Sequence, residues 1–337
     1  MAWSINILSV YIFLGPYSIV HPKELYLMAV GGYGNSTSLL GMITDVDLLD
    51  PFSPESHCDT PTSFPDARYG MIGEFFANYP VICGGYSQDL GYSKDCYVYD
   101  QNQWTNTSFS LTAVRAQASS VVINDEMMWV SGGIDGVGNE TTYKTSDIIY
   151  SSGVVESGVE MPEYIAYHCA AKINSSHIFV AGNGHWDGYK YNAYIIDVTT
   201  TPFTFEKLPS MLHSRWGSAC ASVNLPNSMV DGNDEDNTML MVVGGWDHPS
   251  WTEMYSFSEN RWIDGPTLPR DFSAGGYVTY PDDRGFVLIG GSTLFLEFCD
   301  DIMWYNIDLN SFEILPSKLK QGREYFGAML VEKEDPC

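Results

Sequence analysis

The chain has 337 residues, 45% of them hydrophobic, which is enough to bury one large core. Its 42 acidic against 16 basic residues give a formal net charge of −26. That balance disfavours nucleic acid and anionic membrane surfaces as partners and suits a solvated acidic surface or a basic partner.

Residues 1–22 stand apart. Ile5–Leu14 is almost wholly apolar and continues to Val20 across Gly15 and Pro16. The stretch is too short and too interrupted for a membrane span, so none is expected in the mature chain. It reads as a secretory signal peptide, although no Lys or Arg precedes its apolar core and no small-x-small site follows. The competing reading is an extra strand or a hydrophobic cap, retained in a cytoplasmic protein.

Beyond it a Gly-Gly doublet recurs about every fifty residues, a spacing typical of propellers and solenoids. The copies are Gly31-Gly32, Gly84-Gly85, Gly132-Gly133, the degenerate Gly182-Asn183, Gly244-Gly245 and Gly290-Gly291. Each follows an apolar run of strand formers: Leu25–Val30, Pro80–Cys83, Met127–Ser131, His177–Ala181, Met239–Val243 and Gly285–Ile289. Arg68, Arg115, Arg215, Arg270 and Arg323 keep step, each opening a run rich in small residues, with Ile165 in the remaining copy. After the doublet comes a variable loop, then a run such as Asp95–Asp100, then an aromatic: Trp104, Trp262 or Phe312 in the clearest copies.

These landmarks define a four-stranded unit, a to d, and short strands between turn residues predict an all-β fold. Arg opens strand a and the doublet closes b, where tight packing leaves no room for Cβ. The aromatic starts d and fills the gap between neighbouring sheets. The unit resembles the kelch repeat across roughly residues 25–332. The resemblance implies a six-bladed kelch-type β-propeller, a single domain over 23–337. The chain enters at a b strand and ends on an a-like strand, Arg323–Val331, so these two should pair and close the ring. The first unit is weakest, with no convincing aromatic landmark between Thr44 and His57.

Four Asn-x-Ser/Thr sequons, at Asn35, Asn106, Asn139 and Asn174, fall in predicted loops or turns and favour secretion. Of seven cysteines, Cys83 and Cys96 flank one loop on strands b and c of one unit, so a disulfide is expected there. Cys58 and Cys337 both lie near the closure and form a second candidate pair. The odd total leaves one thiol unpaired or intermolecular.

In a kelch-like ring, the d-a and b-c loops share one face. Arg68, Arg115, Arg215, Arg270 and Arg323 would ring the channel mouth there as a positive funnel able to grip carboxylates. Kelch proteins that recognise acidic peptides use arginines that these resemble. The competing reading pairs each Arg with a carboxylate of its own blade. Two b-c loops on this face are aromatic, one with His185 and Trp186, the other with Trp246, His248 and Trp251. With Trp216 they form a candidate patch for a peptide or a sugar ring. The copper-dependent sugar oxidases and the sugar-acid mutarotases share the kelch-type fold. No spacing here reproduces the copper ligand set, no general acid and base can be matched, and no cofactor or metal is expected. The acidic run Asp231–Asp236 lacks calcium-loop spacing and reads as a solvated loop tip. The leading expectation is a non-catalytic, extracellular protein-binding module. A secreted sugar-converting enzyme and a cytoplasmic scaffold are the alternatives.

Overall fold

A computed structural model describes residues 24–34, 41–53, 58, 61–136, 141–184, 189–226, 237–281 and 285–333. Within them each repeat unit folds into one antiparallel sheet whose strands lie in sequence order. Blade 2 comprises Tyr69–Phe76, Tyr79–Ser87, Asp95–Asp100 and Gln103–Ser110 as strands a to d. Blade 3 comprises Ser119–Asn124, Met127–Ser131, Ser146–Tyr150 and Val155–Ser157. Blade 4 is built from Cys169–Lys172, His177–Ala181, Ala193–Asp197 and Thr204–Lys207, and blade 5 from Ala219–Asn224, Thr238–Val243, Thr252–Ser256 and Arg261–Asp264. Gly276–Thr279, Phe286–Ile289, Asp301–Asn306 and Ser311–Lys318 form blade 6. In blade 1 the C-terminal Gly327–Lys333 pairs along the whole of Glu24–Val30, with Val46–Leu49 on the other side. The ring therefore closes as the strand order predicts, and this blade has three strands among the described residues. The architecture is all-β and six-bladed.

Strands a line the central channel, and their small residues are there because the strands converge. A Cβ on Gly73 would lie 2.8 Å from the Cα of Gly327 in the next blade. The bulk sits between blades. Trp104 packs with Phe64 and Tyr99, Trp262 with Phe179 and Tyr255, and Phe312 with Phe286 and Tyr305, as the aromatic landmarks predict.

The doublet joins blades. Its second residue donates its N–H to the next blade, at the carbonyl of the position that opens strand a: Gly32 to Arg68, Gly85 to Arg115, Gly133 to Ile165, Asn183 to Arg215, Gly245 to Phe272 and Gly291 to Arg323. All the doublet glycines have positive φ, which only glycine adopts without strain. Two residues after the opening position the chain bends again. Gly70, Gln117, Tyr167, Gly217, Ala274 and Tyr325 all have φ between 52° and 70°. Their backbones form a closed cycle around the channel: each N–H donates to the previous member's carbonyl at 2.7–3.0 Å, and Gly70 returns to Tyr325.

Candidate binding face and channel

The arginines do not form a positive funnel. Arg68, Arg115, Arg215 and Arg323 are at most 1% exposed, and each donates from Nη1 to the carbonyl of the first doublet glycine of its own blade. A carboxylate on strand c neutralises three of them: Asp147 meets Arg115 at 3.4 Å, Glu253 meets Arg215 at 2.9 Å and Asp47 meets Arg323 at 2.7 Å. In blade 2 the partner is Asp66, and the guanidinium lies over the rings of Tyr97 and Phe64. Burial pulls Arg115, Arg215 and Arg323 below the usual guanidinium pKa, and their carboxylates partly restore it. A guanidinium supplies enough donors to tie the doublet carbonyl and a carboxylate at once. The expected ligand-gripping ring is not formed, and the competing reading, in which each Arg pairs with a carboxylate of its own blade, describes these internal latches.

Two blades vary the latch. In blade 6 Phe272 takes the opening position, and Arg270 stands two residues earlier. Its partner Asp301 is likewise displaced by two along strand c, so both remain on the same sheet face and meet at 3.1 Å. Arg270 still donates to Gly290, at 3.2 Å. Blade 4 carries Ile165 and no latch. There the Asn183 amide donates to Tyr164 and accepts from the Ala166 N–H.

Aromatic rings occupy the channel mouth that the arginines leave. Tyr167 of blade 4 and Tyr325 of blade 1, on opposite sides of the ring, meet at 5.9 Å between centroids. Trp216 packs edge-on against Tyr167 and stacks on Trp246, whose Nε1 donates to the Tyr325 hydroxyl at 3.1 Å. Asp247 fastens the outer side, accepting from Ser214 and Trp216 and pairing with Lys190.

Further out, His248 stacks on Trp251, and both pack against His213 within 4.8 Å. Trp246, His248, Trp251 and Trp216 thus share one face, as the two-loop patch predicts. His185 and Trp186 lie outside the described residues. Sequence reading missed His213, which belongs to a d-a loop, and the hairpin tip Leu294–Leu296 in the b-c loop of blade 6. Leu294, Phe295 and Leu296 are 55%, 82% and 65% exposed. The signal was a run of three large apolar residues after a doublet, where a polar turn is the rule.

Cys83 and Cys96 are directly opposite on strands b and c and form the expected disulfide. Cys169 and Cys220 form a second, unexpected one, joining strands a of blades 4 and 5. Cys58 is disulfide-bonded, and its expected partner Cys337 lies outside the described residues. Cys299 is a free, buried thiol. Asn174 sits at an exposed a-b turn as expected, whereas Asn106 lies on the exposed outer strand of blade 2 rather than in a loop. Asn35 and Asn139 lie outside the described residues. No described helix is long and apolar enough to cross a membrane.

The fold defines a six-bladed β-propeller. No protein-family model matches the chain, and no curated protein matches it in sequence. Among solved structures, one titled "Structure of YjhT" superposes with a TM-score of 0.67 at 14% identity, covering 88% of this chain and 99% of that one. The likeness supports the fold.

Proposed function

We propose that the chain is a non-catalytic, extracellular protein-binding module of the kelch-repeat type, engaging its partner through blades 4 to 6 of the b-c face. The distribution of exposed apolar side chains carries this reading. Tyr164, Tyr191, Leu212, Trp251, Leu294, Phe295 and Leu296 are all between 44% and 82% exposed, and all lie on b-c or d-a loops of those three blades. The loops touch one another: Phe272 donates to Pro249 and Leu294 donates to Asp271. Leu90 in the b-c loop of blade 2, 67% exposed, is the other large apolar side chain exposed on this face among the described residues, so the concentration lies on blades 4 to 6. Concentrated exposed apolar side chains mark interaction sites, and Trp, Tyr and Phe dominate their energetics.

Because the arginines are internal, an acidic ligand has no ring of free guanidinium groups to meet. Asp264, Asp271 and Glu297 border the patch instead, so the fitting partner is a basic surface that presents apolar anchors. The disulfides favour an oxidising compartment. A sugar-converting enzyme in the channel is the weaker reading, because its anion-binding arginines are committed within the blades.

The test is binding of labelled protein from a secretory host to cell surfaces at 0.15 M salt, an ionic strength at which distant surface charges are largely screened. A Trp251→Ala/Phe295→Asp variant should lose binding by about tenfold or more, and Val154→Asp on the opposite face should not. Equal binding of all three proteins would sink the assignment of this face.

A further inference from the structure

We propose that the central channel holds a site for a small primary-ammonium ligand, with the Glu74 carboxylate as its counter-charge. The channel encloses about 740 Å³, lined by strands a of all six blades. That volume is in the range of small-molecule sites. Tyr167 and Tyr325 cross its axis at the b-c end, and its walls run on to Asn174, Asn224 and Pro281 at the a-b turns.

Glu74 stands on strand a of blade 2, part-way along this wall. It accepts a hydrogen bond from Ser120 of blade 3 at 2.8 Å, and among the described residues no cation pairs with it. The other charged or basic groups on the wall are His168, Lys172 and Glu332. Lys172 and Glu332 lie near the a-b ends of their strands. His168 bonds Ser131, and burial holds its pKa down at about 3, so it is neutral. Among the described residues, the mid-channel therefore carries one carboxylate and no compensating charge.

This is the inverse of the latches, where every buried carboxylate meets a guanidinium. Burial without a cation pushes Glu74 up to about 7, and only the Ser120 hydroxyl opposes the shift. Near neutrality an arriving cation recovers the electrostatic interaction that the fold leaves unmet. The chain's charge of −26 concentrates cations at its surface, and low-dielectric channel walls focus that field inward. One carboxylate is a poor site for calcium, which takes six or more oxygens. An ammonium needs only three acceptors, and the carboxylate with the Ser120 hydroxyl supplies acceptors on one wall. Tyr277, which spans from blade 6 to bond Ala170 of blade 4, adds an aromatic ring in the channel.

Isothermal titration of the full secreted chain with propylammonium chloride, against propanol as the neutral control, tests this. Saturable binding of the amine alone is expected, about 30-fold weaker at pH 5.5 than at pH 8 as Glu74 takes up its proton. Glu74→Gln should abolish it while melting at the same or a higher temperature. Ser120→Ala should weaken it, because the proton is then held to higher pH. Absence of saturable binding, a pH-independent affinity in the wild type, or equal binding by Glu74→Gln would each overturn the proposal.

Discussion

Blades 4 and 5 are neighbours with the same strand order and opposite solutions to one packing problem. Blade 5 ties its doublet with a buried ion pair, Arg215 and Glu253, both side chains inaccessible to solvent. Blade 4 has neither charge: Ile165 replaces the arginine, Tyr194 takes the carboxylate's place on strand c, and the Asn183 amide makes the local bonds. The charges are absent as a set because a lone buried charge costs far more than a missing pair. Blade 4 does keep one buried carboxylate, Glu163, which accepts from Asn192 at 2.7 Å. Burial raises its pKa, with the Asn192 hydrogen bond opposing.

The largest effect should come from breaking blade 5's pair. Arg215→Met strands Glu253 and should cost about 3–5 kcal/mol in denaturant unfolding, whereas Arg215→Met/Glu253→Leu should recover much of it. A double variant as unstable as the single one would mean that the guanidinium's bonds to backbone carbonyls, not the charge pair, hold the blade. The two blades are also joined covalently. Replacing Cys169 and Cys220 by Ala should cost about 2–4 kcal/mol, and more than replacing Cys83 and Cys96, because the bridged separation is 51 residues against 13. The smallest effect sharpens the contrast between carboxylates. With its folded pKa raised by burial, Glu163 keeps its proton to higher pH in the folded chain than in the unfolded one. Its contribution is therefore present at low pH and lost as pH rises through the folded value. Glu163→Gln should be neutral or stabilising at pH 8, and melting temperatures against pH should flatten; Glu253→Gln should destabilise at the same pH.

The ring, its blade count and its closure were legible because the doublet, the small-residue run and the aromatic each have one structural use. The arginines were legible only as two alternatives, since a residue that opens a strand reads alike whether it turns into the blade or toward the channel; the internal pairing is the one formed. One clue was present. Asp47, Asp147 and Glu253 each hold the second place of strand c in blades with an Arg, and the blade without an Arg lacks the acid too. The Cys169–Cys220 bridge was hidden because strands a of two blades meet only in three dimensions. Asn106 was misplaced because a polar Thr-Asn-Thr run on an outer strand has the composition of a turn.

The closed cycle of six backbone bonds sets the bore of the channel. A blade cannot swing outward without lengthening its bonds to both neighbours, so the hoop resists dilation as a whole. Side chains at the rim, Gln117, Tyr167 and Tyr325 among them, can differ from blade to blade while the aperture that carries them keeps its diameter. The rim is thus a gauge of fixed size on which the side chains alone vary.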